Sequence, residues 1–479
     1  MQQTSIDDVP ALWEEGPAPL TVALVFGVGA RHETFRTAGV THLIEHLAMG
    51  ALPKSPVDSN AEVRLDTTIF HATGRPELVV DFIHRVCAAL SDLPVDRLDR
   101  EAGVLRAEGA TAVHPAVAVS LVNRYGVTAQ GLAGAVGPGP DQISRDMVVA
   151  HAARFFTRGN AVLVLTGPPP EGLHVSLPDG PRAGFPVAPP LDLPLPAYLV
   201  GSSPFAALTG VTPLDVGPAL GAILTERVTD ELRHKEGVAY DIGSAGERID
   251  YEHGLLAVWS DGHEDKMDLV ARTMWETLGR LAADGPTAEE LAHTRAVLHE
   301  GLDDPRSVPD WLLAQAARML RGEPPRTRAA QRQLIDGASP EAIREAAAAV
   351  RDGAILLLPE GDYDIPGVPS LDEHEYPSDS LRGEHTYRRR TLSRSPRDLE
   401  IRVGESGFSI TASGRTGSAT WDGIVGVASA EGMRGVVTAD GRSFPVIAKS
   451  LRDGDRLLER IDALAGERLF ASSAEDILG

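Results

Sequence analysis

A chain of 479 residues with 43% hydrophobic and 24% charged side chains has the composition of an ordinary globular protein with room for several domains. Its net charge of −23 argues against a nucleic-acid partner, and its single cysteine, Cys87, excludes an internal disulfide. No apolar run reaches the length of a membrane span and residues 1–19 lack the basic-then-apolar pattern of a signal peptide, so cytoplasmic residence is the simplest expectation.

In chain order, the apolar run at residues 20–26 reads as a buried strand, broken by Gly27 and Gly29. A helix should follow, capped by Thr41 or Thr37. It carries His42-Leu43-Ile44-Glu45-His46. Positions i and i+4 share one helix face, so two imidazoles can grip one zinc ion while Glu45 stands beside it as a base. Two surface histidines on an ordinary helix are the plainer alternative. Residues 79–90 form an amphipathic helix in which Cys87 is a core residue rather than a nucleophile. Glu101 and Glu108 are seven apart, two helical turns, so their carboxylates face the same way.

The order strand, Gly27-x-Gly29-x-Arg31-x-Glu33, then Gly39-Val40-x-His42-x-x-Glu45-His46 resembles the pitrilysin/insulinase-type (inverzincin) zinc metallopeptidases, especially their bacterial processing-peptidase-like members. The family's third zinc ligand lies in a pattern E-x-x-V-[VIL]-x-x-E, which residues 101–108 match. The resemblance implies one zinc per chain on His42, His46 and Glu108, Glu45 as catalytic base, and Glu101 orienting the ligands. The gap from His46 to Glu108 is shorter than the family usually shows, with the missing stretch around residues 51–59. Asn60, Asp66, Thr68 and Phe70 match N-A-x-x-x-x-D-x-T-x-[YF]. The resemblance implies that Asn60 and an edge strand of Ile69, Phe70, His71 and Ala72 hold the substrate backbone, so that an extended peptide adds as a further strand.

Residues 181–196 are proline-rich and read as a stiff linker. Residues 197–360 then repeat the grammar of residues 1–180: a strand, a helix at 266–283, and a helix ending Glu300-Gly301 where the first copy ends Glu108-Gly109. The second copy has no H-x-x-E-H word; its corresponding helix is 217–235. It does carry the family's R-x-x-x-G-[LV]-[AS]-Y signature as Arg233…Tyr240. In the resemblance both residues reach the active site across the domain interface and act catalytically on the developing oxyanion. A charged helix end followed by a strand is the plainer reading.

After a linker at 361–380, residues 381–479 show short alternating strands separated by glycine turns and closed by an amphipathic helix at 453–464. This resembles a pleckstrin-homology-like domain. Arg388-Arg389-Arg390 is a candidate contact for anionic lipid or a protein partner, against the reading of three solvated arginines. The expected fold class is α+β: two homologous peptidase-type domains in tandem, the first active and the second degenerate, plus a small β-barrel-like domain capped by a helix. The expected function is a zinc-dependent endopeptidase for unfolded, leader or precursor peptides inside a clamshell chamber. It would work as a homodimer or as a heterodimer with a paralogous subunit. The alternatives are a non-catalytic peptide-binding or scaffolding subunit, and an adaptor whose main role lies in the C-terminal domain.

Overall fold

The computed structural model describes residues 1–109, 112–201, 203–371, 381, 383 and 385–478. Residues 372–380 of the expected second linker lie outside the described residues. The first domain comprises β1 (Gln2–Ile6), β2 (Val9–Trp13), β3 (Leu20–Phe26), α1 (Val40–Gly50), β4 (Asp58–Val63), β5 (Thr68–Gly74), α2 (Pro76–Ser91), α3 (Leu98–Glu108), α4 (Pro115–Tyr125), α5 (Arg145–Phe155) and β6 (Ala161–Leu165). Its sheet runs β1-β2-β6-β3-β5-β4, antiparallel except for β2 beside β6.

The second domain comprises β7 (Ala197–Val200), β8 (Ala206–Pro213), α6 (Gly217–Thr229), β9 (Ile242–Arg248), β10 (His253–Ser260), α7 (Met267–Asp284), α8 (Ala288–Asp303), α9 (Val308–Leu320), α10 (Arg328–Gly337), α11 (Pro340–Asp352) and β11 (Ile355–Leu358). Its sheet, β7-β11-β8-β10-β9, has the first domain's order and directions without the extra hairpin strand β1. The internal repeat is therefore architectural, with β2, β6, β3, β5, β4 matched by β7, β11, β8, β10, β9.

Successive side chains of a strand enter opposite faces, and here the two faces meet different domains. Val22, Leu24 and Phe26 of β3 join a core with α1, α2 and α5. Ala23 and Val25 pack instead against Val308, Trp311, Leu312 and Ala316 of α9, from the second domain. Reciprocally, Ala207, Leu255 and Ala257 in the second sheet pack against Ala116, Val117 and Leu121 of α4, from the first domain. Because α4 and α9 hold the same place in the two repeats, each domain lends the other the helix that covers the far face of its sheet. Burial on both faces is why β3 reads as a continuous apolar run rather than an alternating one.

Residues 181–196 are not a free spacer. They thread between the domains, with Gln130 and the Ala188 main chain exchanging two hydrogen bonds (2.8 and 2.9 Å) and Leu191 N–H donating to the Arg124 carbonyl at 2.7 Å. Arg31, 1% exposed, closes the same seam. It donates to the carbonyls of Pro186 (3.3 Å), Ile249 (3.2 Å) and Arg248 (2.6 Å) and lies 4.0 Å over the Phe185 ring.

The C-terminal region folds as β12 (His385–Arg388), β13 (Glu400–Val403), β14 (Gly407–Ala412), β15 (Arg415–Thr420), β16 (Ile424–Ala430), β17 (Met433–Thr438), β18 (Ser443–Ile447), α12 (Gly454–Ala465), β19 (Leu469–Ala471) and α13 (Ala474–Leu478). Its strands form two four-stranded sheets. Leu457, Leu458 and Ile461 of α12 enter a core with Trp421, whose indole N–H donates to the Gly404 carbonyl at 3.0 Å. Two of the three arginines at its entry are internally tied. Arg388 pairs with Glu400 at 3.0 Å and Arg389 donates to the carbonyls of Ser395 and Thr391. The domain docks on the first one through Ala428, Met433, Phe470 and Ile477, which meet Phe35, Val127 and Leu132. Gly126 is required at this contact, since its φ is +66° and a side chain would strike the Ala439 carbonyl.

Candidate metal centre

Helix α1 buries Leu43, Ile44, Leu47 and Ala48 against the sheet. That leaves His42 and His46 on the opposite side, their rings 4.8 Å apart and edge-to-face. The helix is not capped by threonine. Its N-cap is Gly39 at φ +91°, a conformation that strains any side chain. The cap is the Glu33 carboxylate, which accepts the N–H groups of Gly39 (2.7 Å) and Thr41 (2.9 Å). A carboxylate there also meets the positive end of the helix dipole. Burial pushes Glu33 up to about 7 against the pull of those hydrogen bonds. The Thr41 hydroxyl lies 3.0 Å from Nε2 of His151, while Thr37 pairs with Thr34.

Helix α3 brings Glu101 and Glu108 alongside. Glu108 Oε2 lies 3.7 Å from His42 Nε2 and 3.3 Å from His46 Nε2, and one donor atom from each of the three residues falls within 4.8 Å of the others. Donors about 2.0–2.1 Å from a tetrahedral zinc are separated by about 3.4 Å, so this set fits the ion's two-nitrogen, one-oxygen requirement with an open fourth position. Glu45 Oε2 stands 3.5 Å from His42 Nε2 and 3.9 Å from His46 Nε2. Glu101 Oε2 faces the other ring nitrogen of His46, Nδ1, at 3.9 Å, and its second oxygen is held by Arg97 at 2.9 Å. That places it to favour the tautomer whose Nε2 lone pair points at the centre.

The electrostatics suit metal binding and proton transfer. Burial, and then the neighbouring His46, pushes His42 down to about 4, leaving it a neutral donor near pH 7. Burial, and then the Glu108 charge, pushes Glu45 up to about 7, the range a general base needs. Although the chain between α1 and β4 is short, α1 still packs on the sheet and the three donors still converge.

The other sequence-derived residues fall differently. Asn60 lies in β4, which is the sheet's edge. Ile69, Phe70, His71 and Ala72 lie in β5, paired on one side by β3 and on the other by β4, so their main chain cannot accept another strand. The edge-strand expectation moves from β5 to β4. Arg233 lies in the π-helical turn Asp230–Lys235 that extends α6, and its guanidinium sits 4.8 Å over the Tyr240 ring. Tyr240 is 74% exposed. Among the described residues, neither shares a hydrogen bond, ion pair or ring contact with His42, Glu45, His46 or Glu108. Within one chain the structure does not join this pair to the metal group. Cys87 is buried and its thiol is pushed up to about 12 by burial, as a core residue should be. Sequence reasoning assigned no role to Glu33 and Arg31, although both stand in the glycine-rich word before α1.

Residues 217–298 match the family model described as Peptidase M16 inactive domain. That stretch, from α6 into α8, lies within the second domain, the copy without the histidine word. No curated protein sequence matches the chain. Among solved structures, a protease from Helicobacter pylori superposes with a TM-score of 0.61 at 13% identity, covering 75% of this chain and 99% of that one. A peptidase M16 inactive domain from Pseudomonas fluorescens gives 0.57 at 16% identity, covering 76% and 99%. The periplasmic protease PqqL from Escherichia coli gives 0.56 at 15% identity, covering 90% of this chain and 56% of that one. The chain thus has the paired α+β fold of M16 peptidases, and its resemblance to pitrilysin/insulinase-type proteins is borne out. No helix among the described residues is long and apolar enough to cross a membrane.

Proposed function

We propose that this chain is a zinc-dependent endopeptidase for unfolded, leader or precursor peptides, working as one half of a paired chamber. The observation that carries the reading is the single Glu108 oxygen lying 3.3 and 3.7 Å from the Nε2 atoms of two histidines. His42, His46 and Glu108 would hold one zinc. When bound, zinc supplies Lewis acidity, acidifying a water and polarising the scissile carbonyl. Glu45 is placed at the edge of the donor set to take a proton from the attacking water and return it to the leaving amine. Glu101, fixed by Arg97, holds His46 in register. An extended peptide pairs with the β4 edge beside Asn60, gaining main-chain hydrogen bonds with little side-chain preference.

Arg233 and Tyr240, stacked on each other and clear of this chain's own donor set, are presented to a partner. There a phenol and a permanent cation suit the oxyanion of the tetrahedral intermediate. That separation supports a dimer, either of two copies or with a paralog. It also supports the second reading, a non-catalytic subunit that lends Arg233 and Tyr240 to another chain's centre. The test is zinc content together with cleavage of a mixed unfolded-peptide library, for the wild type and Glu45→Gln. About one zinc per chain in both, with cleavage only by the wild type, is expected. No zinc in either would put the non-catalytic subunit first.

A further inference from the structure

We propose that the second peptidase-type domain, beside its seam with the first, holds a pocket for a small phosphate-type anion, a phosphate ester with a compact apolar body. A cavity of about 400 Å³ opens between β9, α8, α9 and α10, and four arginines line it: Arg248, Arg318, Arg321 and Arg326. In a chain of net charge −23 this is a local inversion of sign. Three of the four share one carboxylate. Glu323 lies 3.3 Å from Arg248, 2.7 Å from Arg318 and 3.0 Å from Arg321. Arg321, only 10% exposed, also pairs with Asp66 of the first domain at 2.9 Å. Among the described residues Arg326 has no ion pair, and its guanidinium donates to the neutral Gln331 amide at 2.8 Å. Asp215 is the acid in the lining, and it is exposed.

Glu323 and Asp66 are the carboxylates paired with these guanidiniums, and even with exposed Asp215 counted the arginines outnumber the acids, a surplus that fits an anion. Burial first, and then the neighbouring arginines, hold Arg248 and Arg326 below the usual guanidinium range, against the pull of Glu323. The remaining wall is apolar, with Leu298 and Trp311. Trp311 is 9% exposed and its indole N–H has no hydrogen-bond partner. Guanidinium forks match the oxygens of a phosphate. A phosphate fills a small part of the volume and leaves the indole side for an apolar group.

The test is thermal melting of the full chain with phenyl phosphate, inorganic phosphate and sodium chloride at matched ionic strength, for the wild type and Arg326→Met. Arg326 is chosen because its removal orphans no buried carboxylate. The expected result is a saturable rise in Tm with phenyl phosphate, a smaller one with phosphate, and none with chloride. The apparent affinity for phenyl phosphate should fall by about tenfold or more in Arg326→Met. Without anion, that variant should melt no lower than the wild type, which shows that it folds. Arg326→Lys should bind with intermediate strength, keeping the charge without the fork. Absence of a saturable shift in the wild type would overturn the proposal. So would equal affinity in wild type and Arg326→Met, since binding would then lie elsewhere, for instance at the metal centre.

Discussion

The two peptidase-type domains share one sheet topology, the second adding α10, yet among the described residues only the first gathers a group of potential metal donors. In the second, α6 opens with Gly217 and Pro218 and places Gly221, not a histidine, beside the edge hairpin, where a cavity of about 330 Å³ remains. Its α8 keeps Glu300, the counterpart of Glu108 and exposed like it, but with no histidine pair opposite. His293, the counterpart of Glu101, pairs with Glu226 of α6 at 3.7 Å. The second copy folds without the histidines, so the fold does not require them. In the first copy Glu45 and Glu101 are both only 6% exposed, a burial of polar groups that costs stability. The difference marks the centre as chemistry grafted on a scaffold that stands without it.

Glu45→Gln breaks the comparison most sharply. On the proposed mechanism it removes the base while keeping shape and donors, so peptide cleavage should fall by about 10³-fold or more with zinc content unchanged. Steady-state cleavage with parallel metal analysis checks this, and residual activity near wild type would remove Glu45 from the mechanism.

The exchanged helices make the next largest prediction. Leu121 on α4 and Leu312 on α9 are both fully buried, each under the other domain's sheet. Leu121→Ala and Leu312→Ala should each lose about 2–5 kcal/mol. Because each helix holds the opposite domain, either change should shift one cooperative urea transition shared by both. A two-step melt, in which one domain keeps its wild-type midpoint, would show that the exchange is not a stabilising bond between the twins.

That exchange was not legible in the sequence. Apolar residues at helical spacing in 115–125 say that a helix is buried, but not against which sheet. The edge was misplaced for a related reason. Ile69, Phe70 and Ala72 are apolar and buried, as in an inner strand, whereas β4 carries Asp58, Ser59, Asn60 and Glu62, the polar signature of an edge. Threonine is a common helix cap, and the glycine at 39 concealed that a carboxylate six residues upstream supplies the cap instead. That His42 and His46 share a helix face, and Glu101 and Glu108 another, was legible from helical periodicity; the pairing of the two words came from the family resemblance, and the repeat from the order of elements. That Arg233 and Tyr240 stand apart from the His42–His46–Glu108 group within the chain was not legible either, since motif spacing does not say which sites the fold brings together.

Glu101 sharpens the comparison on a smaller scale. Glu101→Gln keeps its shape but weakens its hold on His46, so zinc affinity should drop by about 10–100-fold. The counterpart change His293→Asn, in the domain without donors, should leave zinc affinity unaltered. Competition against a chromophoric chelator measures both, and equal losses would mean that Glu101 acts through general stability.

The smallest effect sets two helix-capping glutamates against each other, one in each twin. Glu33 caps α1 and is pushed up to about 7, mainly by burial, from a usual 4.5. Glu290 caps α8 with Thr287 and is pulled down to about 2, first by the Arg227 hydrogen bond. The signs are opposite. Folding takes up a proton at Glu33 between pH 4.5 and 7, so its contribution to stability declines as pH rises through that window. Folding releases a proton at Glu290, so its contribution is present above pH 4.5 and is lost as pH falls toward 2. The urea midpoint of wild type minus Glu33→Gln should therefore fall from pH 4.5 to 7 and level off above it. Wild type minus Glu290→Gln should be level above about pH 5 and fall below it, by an amount that shrinks with added salt because the pair is near the surface. Curves of the same sign would show that the Glu33 carboxylate is stabilised by its two N–H donors more than it is penalised by burial, and the cap of the metal-bearing helix would then resemble the cap of its twin.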